Sequence, residues 1–349
     1  MRWIMTIFCL VLAYFLFWPL DTDPQAWKPR PDPGLGGVFS PTGGLRAEQL
    51  LGDMLAPEGL ALDPEGRVCT GAADGSVHRL DALESTLLAR LPGRPLGLCF
   101  GPEGSLYVCL GDKGLWVVPP GSEPRQLCAE ADGLPVRFAN ACAMGPQGRI
   151  WFTDSSRLPP ERILDAFLEQ SPHGRIISCD PRTGESRTEV DGLFFANGLA
   201  FCPAGDSLLI CETDRYRVLR RWISGPNQGR TDIFIDNLPG YPDNLSRTAD
   251  GFWLALVSRR DQLLDETLLP RPWLRRMVLR LPHALLPGPE PESVVMRLDG
   301  QGRVMACLSG SPESYGGVTS VLEHDGRLYL GSRMERGVGV LTVNREQSP

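Results

Sequence analysis

Short apolar runs recur along this chain, each ending at a glycine-containing turn and followed by a second apolar run. Six segments share the pattern with near-constant internal spacing: 58–66, 96–104, 140–148, 197–205, 243–251 and 319–326, the last one residue shorter. The second runs, such as 106–108 and 252–254, are rich in residues that favour strands. Each segment therefore predicts two antiparallel strands joined by a tight turn.

The six segments follow one another at steps of 38, 44, 57, 46 and 76 residues, measured at the same apolar position. Strand–turn–strand units that repeat about every 40–50 residues are typical of a β-propeller. We therefore predict an all-β fold, a six-bladed β-propeller over residues 45–344. Residues 45–54 precede the first segment and are predicted to supply the outer strand that closes the last blade.

Two of the steps are overlong, and both excess segments have helical character. Residues 160–170 begin with Pro and Glu and place Ile163, Phe167 and Leu168 on one face of a helix. Residues 263–286 combine apolar and basic residues. We predict two short helical insertions. The second one either touches a bilayer or packs as a strut on the rim of the propeller.

The N-terminus carries an apolar run over residues 4–20, preceded by Arg2 and followed by Asp21 and Asp23. At 1.5 Å per residue it spans about 25 Å, enough for a thin bilayer. Residues 1–20 are therefore predicted to be an uncleaved transmembrane signal anchor, since the bulky residues 15–18 do not suit signal-peptide cleavage. A cleaved signal peptide is the alternative. The flanking charges predict a single-pass protein with a cytoplasmic N-terminus and the propeller in the periplasm, the ER lumen or outside the cell.

Composition adds few constraints. Residues 21–44 are rich in Pro, Gly and Asp and are predicted to be a linker, and residues 345–349 a tail. A net charge of −7 and a pI near 5.3 argue against a nucleic-acid partner. The ten cysteines lack C-x-x-C spacing and lie mostly in apolar runs, so they are predicted to be core residues.

The first strand of each propeller blade lines the central channel, so equivalent positions converge there. Two residues before the aligned apolar position stand Glu58, Leu96, Asn140, Asn197, Asp243 and Thr319. Four of these carry carboxylate or amide oxygens, and none is His or Cys. Hard oxygen ligands suit Ca²⁺ or another hard divalent cation. The register therefore predicts a metal site formed by Glu58, Asn140, Asn197 and Asp243, although turn-forming or capping roles would give the same residue types.

Three further residues are candidates to support the metal ligands or to face a substrate. Asn244 begins the one N-x-S/T sequon but falls at the predicted channel, so glycosylation is not expected. Glu212 ends the second strand of its blade, and Thr319 holds the register position of the last blade. No histidine lies in the register, and the Gly-x-Ser-x-Gly motif is absent, so a Ser-His-Asp triad has no support.

Several motifs in residues 45–343 resemble the strictosidine synthase-like family. They are Phe-Ala-Asn-Gly-Leu-Ala at 195–200, Cys-Glu-Thr at 211–213, Gly-Tyr-Pro-Asp-Asn at 240–244 and Asp-Gly-Phe-Trp at 250–253. The resemblance extends to the adipocyte plasma membrane-associated proteins, which share the N-terminal anchor. The wider group includes gluconolactonases, diisopropyl fluorophosphatases and paraoxonases.

This resemblance implies a six-bladed propeller with a central divalent metal, usually calcium, and ligands in the order Glu, Asn, Asn, Asp. Those map onto Glu58, Asn140, Asn197 and Asp243. Strictosidine synthases have a glutamate where this chain has Thr319, which argues against the alkaloid-forming condensation. Lactonase-type relatives often have Asn-Asp where this chain has Asn140 followed by alanine.

The sequence therefore predicts a membrane-anchored, calcium-dependent hydrolase of small lactones or esters. Asp243 would act as general base or nucleophile, and Asn140 would orient the reacting groups. A non-catalytic propeller with structural calcium that binds a partner is the alternative, and a condensing enzyme is a weaker one. The substrate, the metal and the oligomeric state are not determined by the sequence.

Overall fold

The computed structural model describes residues 2–81, 84–282, 285–286 and 291–342. The predicted tail at 345–349 and part of the second insertion lie outside these ranges. The first two strands of the chain are outer strands of the last two blades in the sequence. They are β1 (Gly43–Gly44) and β2 (Gln49–Leu55).

Six blades follow, numbered here 1 to 6, each built on four antiparallel strands; blade 5 has β1 as a fifth strand, parallel to its outer strand. Blade 1 contains β3 (Leu60–Leu62), β4 (Val68–Gly71), β5 (Ser76–Asp81) and β6 (Glu84–Arg90). Blade 2 contains β7 (Leu98–Phe100), β8 (Leu106–Cys109), β9 (Leu115–Val118) and β10 (Arg125–Cys128). A two-stranded hairpin, β11 (Glu130–Ala131) and β12 (Leu134–Pro135), comes next.

The remaining blades are longer. Blade 3 contains β13 (Ala139–Met144), β14 (Ile150–Asp154), β15 (Gly174–Cys179) and β16 (Ser186–Leu193). Blade 4 contains β17 (Ala196–Phe201), β18 (Ser207–Glu212), β19 (Arg217–Trp222) and β20 (Thr231–Ile235). Blade 5 contains β21 (Gly240–Arg247), β22 (Gly251–Arg259), β23 (Ser293–Asp299) and β24 (Val304–Gly310). Blade 6 contains β25 (Val318–His324), β26 (Arg327–Ser332) and β27 (Arg336–Thr342), with β2 as its outer strand.

The first strand of every blade contacts the first strand of the next, and β25 contacts β3, so the six inner strands form a closed ring. Because β2 pairs antiparallel with β27, the beginning and end of the propeller share blade 6. This confirms both the six-bladed fold and the predicted closing strand. Such closure leaves no open sheet edge between the first and last blades.

The core lies between adjacent blades. The second strands are buried along almost their whole length, as in β14, β18 and β22. Each is covered on both faces by neighbouring blades, which explains its continuous apolar sequence. Nine cysteines, from Cys69 to Cys307, are free, and eight of them are buried. They serve as small core residues, as the sequence predicts.

The described residues also contain four α-helices. They are α1 (Arg2–Phe17), α2 (Ile163–Glu169), α3 (Pro272–Val278) and α4 (Pro312–Tyr315). A 3₁₀ turn at Pro160–Arg162 precedes α2, and a π-helical turn at Leu264–Leu268 precedes α3, so both predicted insertions are helical. Within the described residues, no helix has both the length and the apolar character needed to cross a membrane.

The two insertions pack together with the segment that follows α1. Arg275 of α3 is fully buried and donates hydrogen bonds to the carbonyl oxygens of Leu168, at 2.6 Å, and Leu269, at 3.1 Å. It also donates to the carbonyl of Gln25. We call α2, α3 and residues 21–30 the cap. Within the cap, α3 braces the end of α2, while Leu263 and Trp273 of the same insertion stay exposed.

Candidate functional site

The register residues lie at one end of the six inner strands. Asn140, Asn197 and Asp243 are 6%, 5% and 6% exposed. Thr319 is buried, and the Glu58 side chain is 15% exposed. Asn140 and Asn197 are each the second residue of their inner strand, so they occupy the same position in neighbouring blades. The four predicted ligands therefore stand at the same register position of blades 1, 3, 4 and 5 with largely buried side chains, and we call them the oxygen ring.

The inner strands approach each other closely because glycines stand at the crossing points. A Cβ on Gly198 would lie 2.5 Å from both the carbonyl oxygen of Asp243 and Cα of Asn244. A Cβ on Gly97 would lie 2.5 Å from the carbonyl oxygen of Asn140. These distances are well inside van der Waals contact. The glycines thus allow adjacent strands to bring their ring residues together.

Hydrogen bonds connect ring residues across the blades. Nδ2 of Asn140 donates to Oγ of Ser155 at 3.1 Å, and that hydroxyl donates to the carbonyl of Ala196 at 2.6 Å. Asn140 is thereby tied to the strand that carries Asn197. This bond uses one of the two N–H donors of Nδ2, and Oδ1 is the atom of Asn140 that could coordinate a cation.

Asn244 supports the carboxylate of Asp243, and Thr319 supports the backbone of Glu58. Nδ2 of Asn244 donates to Oδ1 of Asp243 at 3.0 Å and to the carbonyl of Thr319 at 3.1 Å. The hydroxyl groups of Thr319 and Ser320 donate to the carbonyl of Glu58 at 2.9 and 2.5 Å. Asn244 and Thr319 therefore fix the positions of Asp243 and Glu58 and link blades 5, 6 and 1.

Glu212 lies away from the ring and holds the loop that precedes Asn197. It is 1% exposed, accepts a hydrogen bond from the backbone N–H of Phe194 at 2.9 Å and pairs with Arg217 at 2.5 Å. In blade 3 the equivalent Asp154 accepts from the N–H of Phe138 at 2.8 Å. Both carboxylates stand opposite the residue before a ring asparagine. Their role is to position the ring asparagines.

The electrostatics of the ring favour a cation. Burial, reinforced by the charge of Glu58, raises the pKa of the Asp243 carboxyl well above its usual range, while Arg333 and the side chain of Asn197 oppose this effect. Oδ1 of Asn197 is buried and has no hydrogen-bond partner among the described residues. A hard cation would satisfy that oxygen and relieve the repulsion between the two carboxylates.

The ring contains only two carboxylates, and its other predicted ligands are amides. Accordingly, the described part of the chain has no cluster of three His, Cys, Asp or Glu side chains. Two carboxylates and two amide oxygens nevertheless form a donor set of the kind that calcium accepts, with water completing the coordination. The residues present therefore fit the ion that the sequence predicts.

Two arginines near the ring were not found by sequence reasoning. Nη2 of Arg94 lies 2.6 Å from Oε2 of Glu58 and 3.5 Å from the carbonyl of Arg333. Arg94 stands two residues before Leu96, the register position of blade 2, and this spacing was the only sequence signal that could have revealed it. Arg333 lies in the turn between β26 and β27 and carries no repeat-related signal.

Fold and site together define a class: a six-bladed β-propeller with oxygen-bearing side chains around its central channel. Residues 140–226 match the family model described as strictosidine synthase, and residues 37–80 match that of the strictosidine synthase-like N-terminal region. The human adipocyte plasma membrane-associated protein is 34% identical over 90% of this chain and 82% of its own length. The chain belongs to the strictosidine synthase-like family.

Other comparisons agree with this assignment. Strictosidine synthase-like 10 of Arabidopsis thaliana is 34% identical, covering 81% of this chain and 84% of its own. A gluconolactonase from Xanthomonas campestris superimposes with a TM-score of 0.60 at 16% identity, covering 92% of this chain and 97% of its own. The calcium-binding protein regucalcin from Agrobacterium tumefaciens gives 0.59 at 18%, covering 82% and 90%. At these identities the structures establish the fold alone.

Proposed function

We propose that the protein is a calcium-dependent hydrolase of lactones or esters whose catalytic centre is the oxygen ring. The proposal rests on the shared register position of Glu58, Asn140, Asn197 and Asp243. It is supported by Oδ1 of Asn197, which has no hydrogen-bond partner among the described residues, and by the desolvated carboxyl of Asp243. Relatives of the same fold described as a gluconolactonase and as a calcium-binding protein support it.

The chain's own groups suit ester hydrolysis. When bound, calcium would polarise the substrate carbonyl. Asp243 is the candidate base or nucleophile, because its carboxyl group is buried beside the other predicted ligands and a carboxylate can accept a proton from water. Asn244 holds Oδ1 of Asp243, and Asn140 presents Oδ1 to orient water or substrate. Phe167 of the cap packs on Phe195 and Tyr241, two residues before the ring positions Asn197 and Asp243.

The test uses full-length protein in neutral detergent, with phenyl acetate and a panel of lactones as substrates. We expect turnover that a calcium chelator abolishes and added calcium restores. Asp243→Asn should lose about 100-fold or more in kcat/KM. Asp191→Asn makes the same chemical change on an exposed outer strand and should retain full activity. Chelator-insensitive turnover, or an active Asp243→Asn variant, would refute the proposal.

A non-catalytic propeller with structural calcium is the second candidate. It is favoured by the depth of the ring, where Asn140, Asn197 and Asp243 are all less than a tenth exposed. In that case, chelation would lower the melting temperature while no ester or lactone is turned over. The condensing reaction is disfavoured because Thr319 donates a hydrogen bond to the Glu58 carbonyl in place of presenting a carboxylate.

We also propose that the protein is held at a membrane by residues 4–20, with residues 263–286 lying on the bilayer surface and the propeller on the non-cytoplasmic side. The hydroxyl of Tyr14 donates to the carbonyl of Arg280 at 2.7 Å, and Arg280 donates to the carbonyl of Trp18 at 2.6 Å. These contacts place the apolar helix α1 against α3. Trp273 and Leu263 are each 58% exposed on the same insertion.

Vesicle flotation of a chain lacking residues 2–17 tests the surface contact separately from the helix. Leu263→Ser should reduce the bound fraction several-fold. Leu134→Ser is the matched control, because Leu134 is also 58% exposed but lies on the β11–β12 hairpin, outside the insertion. Equal binding of both variants would limit membrane contact to the N-terminal segment.

A further inference from the structure

The residues that stand two positions before each register position differ in type between the two halves of the channel mouth. In blades 3, 4 and 5 these residues are aromatic: Phe138, Phe195 and Tyr241. In blades 6, 1 and 2 they are Gly317, Ala56 and Arg94. We call the first set the aromatic half and the second the arginine half.

The aromatic half is closed by the cap. Phe167 of α2 stacks on Phe195 with ring centroids 4.7 Å apart and meets Tyr241 edge-on at 6.0 Å. Phe138 packs edge-on against Phe195 at 5.5 Å, and Phe138, Phe195 and Tyr241 are all less than a tenth exposed. The aromatic half is therefore covered by packed apolar rings.

In the arginine half, arginine side chains lie at the level that the aromatic rings occupy in the aromatic half. The small residue Gly317 leaves room for Arg333, whose Cγ would lie 3.3 Å from a Cβ added to that glycine. Arg94 lies beside it, is 37% exposed and has a buried Nε without a hydrogen-bond partner among the described residues. This side of the mouth therefore carries two partly exposed arginines.

Arg333 is the less engaged of the two cations. Arg94 pairs with Glu58 at 2.6 Å, whereas Arg333 forms no ion pair within the described ranges of the chain. The nearby carboxylate of Glu335 accepts a hydrogen bond from the N–H of Gly316 at 2.8 Å. Two exposed apolar side chains, Leu55 at 52% and Met334 at 47%, flank this side of the rim.

We propose that Arg94 and Arg333 form a carboxylate-recognition element, so that the preferred substrates are esters or lactones that carry a carboxylate on an apolar body. The inference rests on the proposed hydrolase function and adds its substrate class. A guanidinium group binds a carboxylate through paired N–H donors, and partial burial strengthens that interaction. Leu55 and Met334 would contact the apolar part of such a substrate.

The experiment compares two acetate esters on full-length, calcium-loaded protein in neutral detergent. One is 4-acetoxybenzoate, which carries the carboxylate, and the other is neutral phenyl acetate. We expect kcat/KM to favour the anionic ester by about tenfold or more. Arg333→Gln should lower this selectivity ratio by about tenfold. Arg336→Gln is the matched control: it removes an arginine three residues away that pairs with Asp53 and is 68% exposed, and the ratio should stay unchanged.

A second measurement keeps the inference testable without turnover. Calorimetric titration with benzoate and with its neutral analogue benzamide should show binding of benzoate alone, and Arg333→Gln should lose it. Turnover of both esters with no preference, or equal affinity for the two aromatic ligands, would overturn the inference and leave the hydrolase proposal intact. Benzoate binding without any ester turnover would support the recognition element and refute the hydrolase proposal.

Discussion

Asp214 and Asp243 are both buried aspartates, but only Asp243 lies among oxygen-bearing neighbours that suit a cation. Burial raises the pKa of Asp214 well above its usual range, and the charge of Arg215 only partly opposes this. Its Oδ1 is buried without a hydrogen-bond partner among the described residues. Arg215 itself packs over the rings of Trp27 and Phe194. Asp214 is therefore a destabilising charge within the structure that holds the cap.

The pH dependence of stability should reveal this charge. Because the folded-state pKa of Asp214 is raised, its contribution is most favourable below the unfolded-state pKa, about 3.9, and is lost as pH rises through the folded-state value. Asp214→Asn cannot ionise there. We expect it to be more stable than wild type at neutral pH by about 1–3 kcal/mol, with the difference vanishing towards acidic pH.

Denaturant unfolding from pH 5 to pH 8 measures this difference. Asp191→Asn is the control, since Asp191 is exposed, and its stability should follow wild type at every pH. A constant offset between Asp214→Asn and wild type across the range would show that the carboxyl does not titrate as described.

At the scale of elements, the contact between neighbouring inner strands determines the size of the oxygen ring. Gly198→Ala would place a Cβ 2.5 Å from the Asp243 carbonyl, so β17 and β21 must separate. We expect a loss of about 2–4 kcal/mol in stability and weaker calcium binding. Gly300→Ala is the matched control, because no atom lies within 4 Å of its added Cβ. Calorimetric melting with and without calcium checks both effects.

The blades can be predicted from the sequence because every inner strand has the same structural requirements. Each must be apolar, begin at the channel and end in a tight turn, so the spacing repeats. The ring register follows directly from that repeat, and the structure places Asn140 and Asn197 at the same position of successive blades. Turn conformations and long side chains carry no such periodicity, so the contact between Arg94 and Glu58 could not be predicted.

Residues 21–44 show the same limit at the level of an element. Their Pro- and Gly-rich composition predicts a linker, yet Phe39 is only 7% exposed within the core between blades 4 and 5. Trp27 packs against Tyr216, and β1 pairs in parallel with β24. These contacts depend on single apolar residues in an aperiodic segment. Hydrophobic periodicity gives no signal for such packing.

For the whole molecule, two truncations separate membrane attachment from folding. Removal of residues 2–20 should leave the propeller folded, because it spares the contacts of Trp27 and Phe39. Removal of residues 2–44 also deletes those contacts and exposes the edge of β24. We expect only the longer truncation to lower the melting temperature, by about 5 °C or more. The reason is that it exposes apolar surface that residues 21–44 cover. Equal melting of the two chains would show that residues 21–44 add nothing to stability.

Calcium content tests the central claim most directly. Full-length protein in neutral detergent is loaded with calcium, dialysed against calcium-free buffer and measured by elemental analysis, alongside Asp243→Asn and Asp191→Asn. We predict about one calcium per chain in wild type and in Asp191→Asn, and a large loss in Asp243→Asn. Equal calcium in all three proteins, or none in wild type, would contradict a metal site built from Glu58, Asn140, Asn197 and Asp243.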